Sequence, residues 1–182
     1  MRAVIAALAV SLGLLAGPAL AQDAKPATEA GGSGYDALQQ TQLTEAQVTN
    51  YITSVPEMQA AMGDAPADAA EPDAKTMAKL EAISKKHGFK DFNDYNMVAG
   101  NISLVLDGID PETKTYVGAD KMIAKSIAEV KADKKMKEAD RKAALTELQA
   151  QQKAVTPVKF KSNIDLVLKN YDKLTADQGA AK

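Results

Sequence analysis

The side chains that could support chemistry are few, and the first of them is a single histidine. His87 is the only histidine in the chain, and there is no cysteine, so the residues of this chain cannot form a soft metal site or a cysteine nucleophile. A Ser-His-Asp arrangement could draw on His87, but no GxSxG sequence accompanies it. His87 falls in the last turn of a predicted helix, where a cation interacts favourably with the helix dipole. We therefore predict a structural position for His87.

Three acidic residues surround Gly108 and offer oxygen ligands. Asp107, Asp110 and Glu112 could together hold calcium, which takes several such ligands. Their spacing does not match the loop of an EF-hand, and Asp110 before Pro111 is typical of a turn. We favour the turn, keep calcium as the minor alternative, and predict neither a metal nor a cofactor.

A run of basic side chains occupies the segment from residue 131 to residue 142: Lys131, Lys134, Lys135, Lys137, Arg141 and Lys142. These residues could indicate an anionic surface or partner, but Asp133, Glu138 and Asp140 lie among them and favour a solvated helical face. The chain has a net charge of −2, which gives no electrostatic reason to expect nucleic acid. Since no motif places a catalytic group, we predict that the protein is not an enzyme.

The N-terminal residues have the features of an export signal. Arg2 supplies a positive charge, residues 3–16 are uncharged and apolar, and Ala19-Leu20-Ala21 is the small-x-small pattern that precedes a cleavage point. We predict cleavage between Ala21 and Gln22 and release of a soluble periplasmic protein. The apolar run is too short to span a bilayer, and nothing after Ala21 is apolar enough, so no membrane span is expected.

Composition favours helices over sheets. The chain lacks tryptophan and has only 4% aromatic residues, while Ala, Lys and Gln are abundant. We predict an all-α fold, a compact irregular bundle of five to seven short helices held together without disulfides. Residues 22–42 are expected to form a flexible tail, residues 43–176 a single helical domain, and residues 177–182 a frayed end.

Capping chemistry marks the expected helix starts. The sequence from Leu43 to Val48 predicts an N-cap at Thr44, a capping box with Gln47, and a hydrophobic contact between Leu43 and Val48. The later helices are expected at residues 73–87, 91–108, 119–132, 139–155 and 163–174, with N-caps at Asp73 and Asp91, a capping box at Ser162, and an elbow near 133–136.

Glycine and proline mark where helices should end or bend. Gly88 is expected in the left-handed conformation after the second helix. Gly108 should close the third helix, and Gly100 should mark the close approach of another helix. Pro56 predicts a kink, or two short helices that meet near residues 54–55.

The segment 89–109 has the densest apolar run and is predicted to be the central helix. Its apolar face should carry Val98, Ile102 and Val105, with Asn96 and Asn101 on the other side. In the two helices before it, Met62 and Met77 are expected to face inward, because they follow the helical spacing of their neighbours.

Three similar five-residue segments occur along the chain: LTEAQ at residues 43–47, LTELQ at 145–149 and LTADQ at 174–178. In a helical protein of this size they resemble the LTxxQ motif of the Spy/CpxP family of periplasmic stress proteins. The resemblance implies an ATP-independent chaperone with a cradle-like helical dimer and a concave surface for client proteins. It assigns no site residue.

The hypothesis that best fits the sequence is a non-enzymatic periplasmic interaction protein, chaperone-like or related to envelope stress, with a protein partner or client. The alternative is a helical module that binds a small apolar ligand near residues 89–109. These hypotheses differ structurally, because a partner needs an exposed apolar surface whereas a ligand needs an internal site.

Overall fold

Helices form most of the described chain, which comprises residues 38–63 and 72–176 of a computed structural model. The elements in order are α1 (Glu45–Met62), α2 (Ala74–Lys86), α3 (Phe92–Leu106), β1 (Ile109–Asp110), β2 (Thr115–Tyr116), α4 (Ala119–Ala132), α5 (Glu138–Lys153), α6 (Lys161–Lys169) and α7 (Tyr171–Thr175). The predicted all-α class is confirmed. The predicted signal peptide, its cleavage point and the frayed C-terminal end lie outside the described residues.

The segment between α3 and α4 contains a small β-hairpin. Ile109 pairs with Tyr116, and Asp110 pairs with Thr115, in an antiparallel register. Each strand has two residues, which is too short for a strand pattern to be recognised in the sequence.

The start of α1 is the capping box that the sequence predicts. The backbone N–H of Gln47 donates to Thr44 Oγ1 over 3.2 Å, and the backbone N–H of Thr44 donates to Gln47 Oε1 over 3.0 Å. Leu43 and Val48 are both buried, on either side of the cap. Two of the backbone N–H groups at the helix start that lack a helical partner are therefore satisfied locally.

Pro56 neither ends nor divides α1, so the expectation of two short helices is wrong. The helix runs unbroken for 18 residues, because buried side chains on both sides of the proline, among them Val48 and Met58, hold it against the core. Met62 is 44% exposed and Met77 is 38% exposed. The prediction that these two methionines face inward is also wrong, since Ala61, Thr76 and Leu80 take the buried positions.

The two ends of α2 follow the predicted capping chemistry. The carboxylate of Asp73 accepts the backbone N–H of Thr76 over 2.6 Å. At the other end, Gly88 has φ +84°, its N–H donates to Lys85 O, and the N–H of Phe89 donates to Ser84 O. This is a Schellman motif, and it buries Phe89 against the helix that it closes.

Asp73 should make the stability of α2 depend on pH. Hydrogen bonds from the N–H and the side chain of Thr76, with a smaller contribution from Lys75, hold the pKa of Asp73 below its ordinary value. A carboxyl with a lowered folded pKa stabilises the fold above its unfolded pKa, and that contribution is lost as the pH falls through the folded pKa. Asp73→Asn keeps a capping oxygen without the charge. We expect the difference in unfolding free energy between wild type and variant to shrink from pH 7 to pH 3, as measured by urea unfolding. A difference that stays constant over this range would contradict the assignment.

Helix α3 is the central helix, as predicted. Its N-cap is Asp91, which accepts the N–H of Asp94 over 2.7 Å, and it packs against α1, α2 and α6. The fully buried side chains of Val98, Ile102 and Val105 lie on the predicted apolar face. They form one core with residues from these neighbouring helices.

Aromatic rings close the core at the beginning of α3. The ring of Tyr95 stacks on those of Tyr51 and Phe92 and meets Phe89 edge-on, with centroid distances of 5.5, 5.9 and 5.4 Å. Burial raises the pKa of both tyrosines, and the contact with Tyr51 raises that of Tyr95 further. Both hydroxyls therefore stay protonated at neutral pH, and the tyrosines serve as core residues.

Gly100 lies inside α3 and Gly108 lies just after it. Each is close to a side chain that the sequence does not predict as its neighbour. A Cβ at Gly100 would lie 2.7 Å from Leu38 Cδ1, so the close neighbour is a side chain from before α1 and not another helix. Gly108 follows the C-cap Asp107, as predicted, but the ring of Tyr116 lies directly against its α-carbon. The hairpin β1–β2 therefore needs glycine at position 108 for space.

Substituting Ala at these two glycines should have very different effects. Gly108→Ala would push a methyl group into the buried side of the Tyr116 ring, and we expect it to lower the free energy of unfolding by about 1–3 kcal/mol. Gly100→Ala meets only the flexible end of Leu38, and the higher helix propensity of alanine offsets part of the cost. Chemical denaturation of both variants tests this. Equal losses would show that Tyr116 does not set the requirement.

The end of the chain departs from the predicted single helix. Ser162 lies inside α6 and is not its N-cap; Phe160 holds that position without a side-chain hydrogen bond. The predicted capping box is therefore absent, because the helix has already begun at Lys161. A second short helix, α7, starts after Asn170.

Candidate functional site

The acidic turn after α3 holds a lysine. Lys125 Nζ lies 3.2 Å from a carboxylate oxygen of Asp110 and 2.8 Å from one of Glu112. The N–H of Glu112 also donates to Asp110 over 2.8 Å, and this bond, with Lys125, holds the pKa of Asp110 below its ordinary value. Within residues 38–63 and 72–176 no three acidic or histidine side chains are placed to hold a metal. The calcium alternative with Asp107 is therefore not assembled, and the turn interpretation accounts for Asp110.

His87 joins α2 to α1. It is the C-cap of α2, and its ring lies 3.2 Å from Glu57 Oε1 and 3.3 Å from Thr53 Oγ1. The hydroxyl of Thr53 donates its proton to the carbonyl of Asn50 over 3.0 Å. Lys86 also pairs with Glu57, over 2.7 Å, and its hydrogen bond, together with that of His87, holds the pKa of that carboxyl below its usual range.

The apolar face of α3, which was the alternative place for a ligand, is covered by the helices of the core. Two open depressions flank this helix. One of about 260 Å³ lies beside Leu106, Ile109 and Tyr171, and one of about 300 Å³ lies between Gln39 and Met97. Both are surface features with polar and apolar walls, and neither places converging polar groups around an enclosed apolar space.

Two buried asparagines hold the segment that precedes α1. Asn101 accepts the N–H of Thr41 over 3.0 Å and donates to Gln39 O over 3.2 Å. Asn163 accepts the N–H of Leu43 over 2.8 Å and donates to Thr41 O over 2.8 Å. The bonded residues alternate along the chain, as they do on one edge of an extended strand. The two side-chain amides therefore replace a neighbouring strand.

This amide clamp, formed by Asn101 and Asn163, corrects two predictions. Residues 38–42 were expected in the flexible tail, but their backbone is fixed to α3 and α6, and Gln40 adds bonds to Pro157 O and the N–H of Lys159. Asn101 was expected on the solvent side of α3, yet it is 1% exposed. Asn101 lies three residues after Val98 and one before Ile102. Its burial could therefore have been predicted from the sequence, because this spacing places an amide at a core position of an apolar helical face.

The α4–α5 hairpin, residues 119–153, differs from the rest of the fold. The predicted bounds of α4 are confirmed, and α5 begins at Glu138 and ends at Lys153, close to the predicted 139–155. These two helices pack mainly on each other, and α4 also contacts β1. Among the described elements, α5 has extensive contacts with α4 alone. The hairpin is therefore an arm that packs mainly on itself.

No residue of either helix in the hairpin is fully buried. Both helices nevertheless carry apolar side chains at helical spacing, and these are only half-buried: Met122, Ile123, Ile127, Val130, Leu145 and Leu148. In α3 the equivalent spacing produces complete burial. One face of the hairpin thus keeps part of its apolar surface in contact with water.

The turn of the hairpin is ordered by hydrogen bonds. Arg141 Nη2 donates to the carbonyls of Asp133 and Met136, over 2.6 and 2.9 Å. The carboxylate of Asp133 accepts the N–H of Lys135 over 2.8 Å. The elbow that the sequence predicts near residues 133–136 therefore has a defined conformation, which fixes the angle between α4 and α5.

The three LTxxQ segments lie in different structural environments. The first is the capping box of α1. The second lies inside α5, where the Thr146 hydroxyl donates to Lys142 O. The third begins at the buried Leu174, and its last two residues lie outside the described chain. Only the first LTxxQ segment therefore has an evident capping role.

None of the helices in the described residues is both long and apolar enough to cross a bilayer. Comparison of the chain with models of known protein families, with curated proteins and with solved structures found no match in any of the three.

Proposed function

We propose that this chain is an exported, non-enzymatic interaction protein that shields apolar segments of other polypeptides in a chaperone-like manner, and that the α4–α5 hairpin is its binding surface. The observation that carries the proposal is the half-buried apolar face of the hairpin, in which no residue is fully buried. A surface of this kind gains stability when a partner covers it.

The chemical groups elsewhere support a binding role over a catalytic one. The histidine and the acidic turn that the sequence offered for chemistry both have structural partners: His87 bonds to Glu57 and Thr53, and Asp110 bonds to Lys125. The hairpin, in contrast, combines adaptable apolar side chains such as Met122 with surrounding charged residues. Such a surface can bind many apolar segments weakly while remaining hydrated.

An aggregation assay tests the proposed binding. The client is α-lactalbumin unfolded with dithiothreitol, a reductant that leaves this protein unchanged because the chain has no cysteine. We expect the purified protein to suppress light scattering by the client in a concentration-dependent way. The double variant Ile127→Gln/Leu148→Gln should lose most of this effect, because it replaces two apolar side chains of the hairpin face.

A matched variant controls for a general loss of hydrophobicity. Met62→Gln/Met77→Gln changes two exposed apolar residues on α1 and α2, and it should retain the activity. Circular dichroism and denaturation check that each variant is folded. If wild type has no effect on the client, or if both double variants act like wild type, the hairpin is not a client-binding surface.

Export is proposed from the N-terminal sequence, where Arg2, the apolar run and Ala19-Leu20-Ala21 support it. Expression of the full chain in a Gram-negative host should place the protein in the periplasmic fraction. N-terminal sequencing should then begin at Gln22. Recovery of an unprocessed cytoplasmic protein would contradict this part of the proposal.

A further inference from the structure

The tip of the α4–α5 hairpin, residues 131–137, has four lysines within seven residues. Lys131, Lys134, Lys135 and Lys137 are all exposed, and Asp133 is the only acidic residue of the tip. The whole hairpin, residues 119–153, has nine basic and six acidic side chains, so it carries +3 in a chain whose net charge is −2. Positive charge is therefore concentrated on the arm, and most strongly at its tip.

The acidic residues near the tip form no ion pair with these lysines. The carboxylate of Asp133 accepts the backbone N–H of Lys135, while Glu138 and Asp140 belong to the first turn of α5, where negative charge interacts with the helix dipole. In the described part of the chain, ion pairs form at Lys85, Lys86, Lys114, Lys125 and Lys169, and none forms at the tip. The tip lysines thus remain available to an anionic partner.

The tip joins two helices that pack mainly on each other. These helices have 14 and 16 residues, which corresponds to a length of roughly 21–24 Å at the rise of an α-helix. Arg141 fixes the turn through the carbonyls of Asp133 and Met136. Four long, flexible side chains therefore extend from a rigid tip, an arrangement that suits a broad field of negative charge better than one anionic group.

We propose that the hairpin tip docks on the surface of a membrane containing anionic phospholipid, with the ammonium groups of Lys131, Lys134, Lys135 and Lys137 against lipid phosphates. A cluster of about four basic side chains on a helical element is typical of segments that attach reversibly to anionic lipid. The tip carries no large exposed apolar side chain, so attachment depends on charge and not on insertion. This inference is independent of the proposed function, which rests on the apolar face of the same hairpin.

Co-sedimentation with sucrose-loaded vesicles tests the proposal. The full mature chain is mixed with vesicles of phosphatidylcholine alone, or of phosphatidylcholine with 30% phosphatidylglycerol, at low ionic strength. We expect binding only to the second kind, and its loss near 0.5 M salt. The variant Lys134→Glu/Lys135→Glu should bind at least about tenfold more weakly than wild type, because two favourable interactions become repulsive.

The control variant makes the same change in net charge elsewhere. Lys159→Glu/Lys161→Glu reverses two exposed lysines near the start of α6, and it should bind like wild type. Equal binding to both kinds of vesicle, an unchanged tip variant, or an equal loss in the control would each overturn the proposal. So would selective capture of the tip by an acidic polypeptide with no binding to anionic vesicles.

Discussion

Ile102→Ala should lower the free energy of unfolding by about 2–5 kcal/mol, the range found for truncating a fully buried aliphatic side chain. Ile102 has no exposed surface, and it lies on the face of α3 that contributes to the core shared by α1, α2 and α6. Removing its outer carbons would leave a cavity between several helices at once, so none of them can relax into the space without losing other contacts. Urea unfolding followed by circular dichroism measures the loss.

Ile127→Ala in α4 is the matched control for Ile102→Ala, because it makes the same chemical change at a half-buried position in a helix. We expect a loss of only about 1 kcal/mol, since part of the Ile127 side chain is already in contact with water. A loss as large as that of Ile102→Ala would mean that the hairpin face is part of the core. It would then also remove the main support for the proposed binding surface.

Local chemistry explains why much of this fold could be predicted from the sequence. Thr44, Asp73 and Asp91 each satisfy backbone donors within three residues, so the helix starts depend only on neighbouring residues. Gly88 is likewise required by the left-handed conformation that ends α2. Caps of this kind can be predicted from the sequence because all partners lie within one turn of the helix.

Features that depend on distant partners could not be predicted in the same way. The burial of Asn163 is due to Thr41 and Leu43, more than a hundred residues earlier in the chain. The requirement for glycine at position 100 is due to Leu38. At Ser162 the local pattern suggested a capping box, but the helix had already begun at Lys161. Long-range contacts override local preference at each of these positions.

The apolar face of the α4–α5 hairpin could be predicted from the sequence only in part. The periodicity of α4 and α5 predicted two amphipathic helices, and both are present. The sequence could not show that these helices would pack mainly on each other, because Ile127 and Leu148 have the same spacing as true core residues. Whether an apolar face is covered depends on the arrangement of all the helices.

Asn163→Ala should destabilise the fold by about 2–4 kcal/mol, although it removes no apolar contact from the core. The side chain of Asn163 is 2% exposed, and without it the N–H of Leu43 and the carbonyl of Thr41 would lose their partners. A buried backbone group without a partner costs roughly 1–3 kcal/mol. The N–H of Leu43 is buried, whereas the carbonyl of Thr41 is only partly buried and should cost less. The effect should extend to α1, since Leu43 packs at its start.

Amide hydrogen exchange distinguishes this account from a general loss of stability. In wild type the N–H of Leu43 should be among the protected amides, whereas Asn163→Ala should expose it under conditions in which the amides of α3 remain protected. Asn96→Ala, an exposed asparagine of α3, is the matched control and should change neither stability nor exchange appreciably. If Asn163→Ala is as stable as this control, the clamp does not hold the segment before α1. The fixed position of residues 38–43 would then depend on the packing of Leu38 and Leu43 alone.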